Sequence, residues 1–225
     1  MYASKNGTYE HFWLCSGQDY PLRSASEICN FLHSNSNINF VQLWPSKNYV
    51  ENSIGGVENN LDKRTSIYFP QFMLGRGRLK KIIKRCFTEV TGGYNHTFTI
   101  FRRKNELNLK FYFGSQWVCL SKEFIDWIQN YLVENPNFIK YFINSNCPDE
   151  CFFQTLLMNS PYKKMRKDYL HCASWESGKN SPRIMTMEDY NTLINSNKLM
   201  ARKFDINVSS MIIDAINCYI NSDTI

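Results

Sequence analysis

Two helix-starting boxes constrain this chain more than any other feature. Ser24 is followed three residues later by Glu27, and Thr186 by Asp189. In each pair the first side chain can accept from an orphan amide while the acid reaches back to the cap. Each box comes after a short apolar run, His11 to Cys15 before the first and Tyr169 to Trp175 before the second. Runs this short, ended by turn residues, suit buried strands. Ile38 to Trp44 is a third strand, stopped by Pro45, and Ser66 to Phe69 a fourth. Thr97–Arg102 and Leu107–Phe113 read as a hairpin around the polar tip at Arg103 to Glu106. Helices are expected from Ser121 to about Leu132, from Pro136 to Ile143, from Asp149, and from Asn207 or Ser209 to about Ile220. Residues 46–64 read as a polar loop. Strands interleaved with capped helices give an α/β layered fold.

The chain has 225 residues, enough for one large domain with a core that needs no disulfide staples. Its eight cysteines form no CxxC pair, so they read as reduced thiols. No apolar run approaches 18 residues, and MYASKNGTYE lacks the basic and apolar regions of a signal peptide. A cytoplasmic protein is expected. The net charge of +6 suits an anionic ligand or surface. Part of it lies in Gly75–Arg85, GRGRLKKIIKR, where Arg76, Arg78, Lys80, Lys81, Lys84 and Arg85 alternate with Leu79, Ile82 and Ile83. That segment is expected to rest on an anionic membrane, at the inner face; a solvated helix face would carry the same pattern. Nucleic-acid binding is the main rival for the charge, but no RNP-type motif, KH loop or zinc knuckle is present. No GxSxG elbow supports a serine hydrolase.

Four segments carry candidate chemistry. Ser16-Gly17-Gln18-Asp19-Tyr20-Pro21-Leu22 follows the first strand, with Gln18 and Asp19 offering hydrogen-bonding groups; an ordinary turn would read the same. Gly114-Ser115-Gln116-Trp117 breaks a strand and presents an indole beside polar groups, as a sugar platform does and as a core Trp at a strand end also does. Pro148-Asp149-Glu150 opens a helix whose next turns are apolar, where the helix dipole favours the carboxylate form. There Asp149, with its short side chain, is expected to cap the helix and leave Glu150 for chemistry. Ser181-Pro182-Arg183 and Arg202-Lys203-Phe204-Asp205 set an Arg and a Lys on two loops around one helix. Together the two cations could clamp a diphosphate.

In this order, SGQDYPL, GSQWVCLS, PDE, SPR and RKFD resemble the Core-2/I-branching β-1,6-N-acetylglucosaminyltransferases, their xylosyltransferase relatives and small bacterial versions (glycosyltransferase family 14). The resemblance runs from about residue 10 to 220. It implies a GT-A-like, Rossmann-related fold and an inverting transfer that needs no divalent metal and no other cofactor. By the same resemblance Glu150 is the catalytic base and Arg183 and Lys203 bind the donor diphosphate. Trp175, with the Gly114–Trp117 turn and the Gln18–Asp19 turn, lines the acceptor cleft. The implied partners are a UDP-sugar donor, most readily UDP-GlcNAc, and a glycan or lipid-linked saccharide acceptor. Residues 1–225 read as a single catalytic domain lacking the family's first nucleotide-binding strand-helix segment. A carbohydrate-binding relative that has lost donor binding is the alternative. No Asp-x-Asp occurs in the sequence, which leaves Arg183 and Lys203 as the cationic groups for a leaving diphosphate.

Overall fold

The computed structural model describes residues 7–44, 61, 64–70, 72, 77–93, 96, 100–145, 147–176 and 181–222. Two small mixed sheets organise them. The first has the order β1–β4–β3–β5, from His11–Trp13, Cys119–Ser121, Asn39–Phe40 and Arg166–Lys167. Strand β4 pairs antiparallel with β1 and β3, and β3 pairs parallel with β5. The second is β2–β7–β6, from Asp19–Pro21, Met200–Arg202 and His171–Ala173. Here β7 runs antiparallel to β2 and parallel to β6. The mixed α/β class expected from the sequence is what the chain adopts.

Helix α1 (Ala25–His33) starts at Ser24, with both halves of the capping box formed. The basic segment forms α2 (Arg78–Val90), starting later and ending later than the sequence pattern suggested. Residues 75 and 76 lie outside the described residues, as does most of the 46–64 stretch. Ser121 caps α3 (Lys122–Glu134) by accepting from the Phe124 amide. Phe124, Ile128 and Leu132, one turn apart, point inward from it. Burying each such side chain contributes roughly 1.5–3 kcal/mol. Helix α4 (Pro136–Ile143) follows at once, with proline at its first position. Around α3, α4 and α5 (Phe152–Met158) lies the largest core, which includes Val41, Phe113, Val118 and Leu120. A second core joins Leu22, Met185, Leu193, Ala201 and Phe204 to α7 (Ile206–Ser222) through Ile212 and Ile216. The second capping box forms as well, at Thr186 and Asp189, and opens a 3-10 turn before α6 (Tyr190–Ile194).

Over the described residues, 100–102 and 107–113, the expected hairpin is not formed. Ile67 pairs with Arg102 in an isolated bridge, residues 107–113 pair with no strand among the described residues, and residues 97–99 lie outside them. The reason is competition for backbone groups. Thr155 bonds both the amide and the carbonyl of Tyr112, at 3.1 and 3.2 Å. Asn159 donates to the Lys110 carbonyl at 2.8 Å, and Gln154 to that of Ser115 at 2.7 Å. Polar side chains on α5 thus do the work of a neighbouring strand.

At Gly114 this segment passes so close to the chain at Gln42 that a side chain has no room. A Cβ there would lie 1.9 Å from the Gln42 carbonyl oxygen, a backbone atom. Gly17 differs: a Cβ at that position would meet nothing within 4 Å among the described residues, so they leave the turn after β1 room for a side chain. Gly114→Ala is therefore expected to destabilise the fold by about 1–3 kcal/mol or more, while Gly17→Ala stays within about 0.5 kcal/mol of wild type. Urea unfolding of the two variants checks this, and equal midpoints would contradict the close approach.

Candidate functional site

The first carboxylate of interest is Asp19, at the start of β2. Its Cα partner across the ladder is Arg202 of β7. The side chains meet at 2.7 Å, Asp19 being 1% exposed and Arg202 11%. The Ser16 amide donates to the other carboxylate oxygen at 2.7 Å. His171 of β6 approaches that same oxygen to 3.6 Å and is fully buried. Burial alone would raise the Asp19 pKa; His171, the Ser16 amide and Arg202 together outweigh it and hold the carboxyl below its usual range. Desolvation, and then the Asp19 charge, push the nearby Cys15 thiol up to about 11. Gln18 is exposed, and its carbonyl accepts from the Phe204 amide at 2.9 Å. The SGQD turn is thereby tied to the RKFD segment at two points, and the Asp19 carboxylate is turned inward onto Arg202.

The indole of Trp117 lies over the Arg202 guanidinium, 3.8 Å from ring centroid to carbon. This cation–π contact joins the GSQW turn to the same ion pair. Ser115 is buried and accepts from the Trp117 amide at 3.3 Å, and Gln116 is half-buried beside it. At the other end of the turn the Gly114 amide donates to the Glu150 carbonyl at 2.9 Å. The structure thus brings GSQW into contact with PDE on one side and with SGQD and RKFD on the other.

Glu150 ends a 3-10 turn, Pro148–Glu150, just ahead of α5. Its carboxylate meets Arg64 at 2.5 Å, with both side chains mostly buried. The Arg64 guanidinium also lies 5.6 Å from the Phe113 ring centroid. Burial pushes the Glu150 pKa upward, Arg64 pulls it back, and Asp149 adds to the rise. Glu150 therefore lies in a 3-10 turn ahead of the helix rather than in its first turn, with desolvation and Arg64 acting on its carboxyl in opposite directions. Asp149 lies inside the 3-10 turn rather than at a cap position; the cap residues are Cys147 and Cys151, and neither makes a side-chain capping bond. Cys147 takes the left-handed backbone that starts the turn, which displaces Asp149 from the cap position.

Arg183 and Lys203 line one cavity of about 780 Å³, together with Ser181, Thr186, Met187 and Met211. The carboxylates Glu176 and Glu188 also face it. Arg183 is positioned twice. Its amide donates to the Ser174 carbonyl at 2.9 Å, and its guanidinium pairs with Asp189, the acid of the second capping box. Lys203 is held by its backbone, whose carbonyl accepts from the Met185 amide at 2.8 Å. Trp175 follows β6 and is 55% exposed, one residue from the Ser174 contact to Arg183. Sequence reasoning missed Arg64, His171 and Arg202. The first sits in a stretch that reads as loop, and the second in a run that reads as a plain buried strand. Arg202 was visible only as the neighbour of Lys203.

Asp19→Asn keeps the shape but leaves Arg202 buried without its counter-ion, which should cost about 3–5 kcal/mol. The pH dependence has a definite sign. A carboxyl whose folded pKa is depressed stabilises the protein fully above its unfolded value, about 3.9 for Asp, and loses that contribution as pH falls through the folded value. The gap between wild type and Asp19→Asn should be widest above that window and close on acidification. Urea titrations at several pH values measure it, and a gap that does not change with pH would contradict the pairing.

The chain is 32% identical over 108 residues to the beta-glucuronosyltransferase GlcAT14A of Arabidopsis thaliana, covering 46% of this chain and 24% of that protein. It is 29% identical over 108 residues to GlcAT14B of the same plant, covering 46% and 25%. The matched region thus spans about a quarter of the length of these curated relatives. The family model described as Core-2/I-Branching enzyme matches residues 3–195, which include SGQD, GSQW, PDE and Arg183. The chain belongs to the Core-2/I-Branching enzyme family.

Proposed function

We propose that the chain transfers a sugar from a nucleotide-sugar donor to a carbohydrate hydroxyl, with inversion, on a GT-A-like scaffold. The observation that carries this reading is the cavity shared by Arg183 and Lys203. Two cations from separate loops at one opening suit a diphosphate leaving group, and they need no metal to do so. Glu176 and Glu188, on the same wall, suit the hydroxyls of the sugar that the diphosphate carries. Glu150 takes the proton of the attacking hydroxyl as the acceptor oxygen displaces the nucleotide. Its partial burial raises its basicity, and Arg64 keeps it ionised. Trp175 and the Gly114–Trp117 turn, with Gln18 at the exposed edge of SGQD, hold the acceptor. Asp19 serves that edge from behind through Arg202. The donor is UDP-GlcNAc, by the resemblance of the motifs, or a UDP-linked glucuronic acid, by the names of the two plant relatives.

Lys203→Ala should weaken UDP binding by about tenfold or more, as the loss of a charge-assisted contact of about 1.5–3 kcal/mol implies. Glu150→Gln should leave UDP affinity unchanged and lower turnover by about 10²–10⁴-fold. A base must be ionised to act, so the acid limb of the rate profile should lie above the ordinary Glu value of about 4.3. In Arg64→Ala it should move to higher pH still, because the charge that lowers the Glu150 pKa is gone. Calorimetry with UDP and transfer assays with both donors read these outcomes. Wild-type turnover in Glu150→Gln, or unchanged UDP affinity in Lys203→Ala, would refute the assignments.

The acceptor side involves a membrane surface through α2. At about 100° per residue, Leu79, Ile82, Ile83, Cys86, Phe87 and Val90 fall on one arc of this helix, and Arg78, Lys80, Lys81, Lys84 and Arg85 on the other. Phe87 packs inward against Ile67 and Phe69. Leu79, Ile82 and Val90 are 71%, 59% and 87% exposed. An exposed apolar arc bordered by basic residues suits an anionic lipid interface. In flotation at low salt the chain should rise with anionic vesicles and remain below with neutral ones. Leu79→Glu with Ile82→Glu should abolish the difference. Equal recovery with both lipids would exclude the contact.

A further inference from the structure

Behind the GSQW turn, Asp19 meets two side chains, Cys15 and His171, that the transfer reading leaves unused. The donor atoms of Cys15, Asp19 and His171 all lie within 4.8 Å of one another. His171 is fully buried, and neither of its ring nitrogens has a hydrogen-bond partner. Trp13 meets its ring edge-on at 5.5 Å, Trp117 lies at 5.7 Å and Tyr169 stacks at 6.3 Å. Three aromatic walls fix the imidazole with Nε2 towards Asp19. Buried polar atoms without partners are uncommon enough to need a reason.

The spacing supplies one. The His171 Nε2 and Asp19 Oδ2 atoms are 3.6 Å apart, too far for a hydrogen bond. Two ligands at about 2.0–2.2 Å on one tetrahedral zinc lie roughly 3.4 Å apart. Asp19 can spare the electron pair: Oδ1 faces Arg202, while Oδ2 takes the Ser16 amide on one side and faces His171 on the other. Cys15 is exposed, which provides both an entry route and an open side for a water ligand. We propose that Cys15, Asp19 and His171 form a binding site for a soft divalent cation of the zinc class. Thiolate, imidazole and carboxylate are zinc's ligands, whereas magnesium and calcium prefer oxygen alone. On binding, the ion exchanges waters for the three side chains and the Cys15 thiol releases its proton to solvent. Asp19 is shared between Arg202 and the ion, so the Cys15 thiolate supplies one negative charge against the ion's two and the group keeps a net charge of about +1. A bound ion ties the SGQD turn to β6. The proposal stands on this geometry and not on the transfer reading, and its test reads no transfer.

The full chain, purified free of metal, is titrated with cobalt(II) as a spectroscopic stand-in for zinc. A saturable thiolate-to-cobalt absorption band should appear at one equivalent and be displaced by zinc. Cys15→Ser should remove the band, and Cys147→Ser and Cys172→Ser should keep it. His171→Gln should weaken binding by at least about tenfold, since even outer partners of a metal ligand matter by that much. A second measurement needs no variant. Zinc should slow alkylation of Cys15, read by mass spectrometry, while Cys29 and Cys218, also exposed, react as before. A band that survives Cys15→Ser, no saturable band at all, or unprotected Cys15 would overturn the proposal.

Discussion

The buried pair of Asp19 and Arg202 is the constraint on which the arrangement of the site depends. A charge taken out of water must be matched or it destabilises the fold. Matching it here fixes β2 against β7 in a single register, with Asp19 opposite Arg202 and Tyr20 opposite Ala201. A slip of one residue would turn Ala201 outward and bring Arg202 into the second core. Because Lys203 follows Arg202 directly, the register also sets where Lys203 leaves the sheet. Trp117 lies on the same guanidinium, so the GSQW turn takes its position from it too.

Much of this was legible in the sequence wherever a local rule sufficed. The boxes at Ser24–Glu27 and Thr186–Asp189 formed as read, because a cap and its acid lie within one turn of chain. Ser121 and Pro136 opened helices for the same local reason. The hairpin failed because its partners are remote: Gln154, Thr155 and Asn159 are polar residues in or just after an apolar helix, and no local pattern shows that they bind backbone 39 to 49 residues away. Asp149 failed as a cap because the left-handed backbone at Cys147 altered the start of the turn.

The candidate site was legible as motifs and illegible as a network. Arg183 and Lys203 could be paired from the helix between them, and they do line one cavity. Arg64 could not be assigned to Glu150, because nothing in the intervening sequence indicates that a segment from a polar stretch folds back onto the PDE turn. Arg103 does that work: it donates to the Thr65 and Tyr141 carbonyls and to Ser145, with its guanidinium 3.7 Å from the Tyr141 ring centroid. That anchor is non-local on both sides, and it holds Arg64 at the Glu150 carboxylate.

The polar rungs of α5 have a mechanical consequence. The Glu150 carbonyl just ahead of α5, Gln154 and Thr155 within it, and Asn159 just after it bond residues 110–115 at successive points. Helix and turn are thereby laminated, and neither can shift without the other. A carboxylate and the indole-bearing turn beside it then travel as one stiff plate. Arg183 is held differently, by a backbone bond to the Ser174 carbonyl and an ion pair with Asp189. The spacing between the Glu150 turn and the Gly114–Trp117 turn is set by the packing of both against α5 rather than by either segment alone.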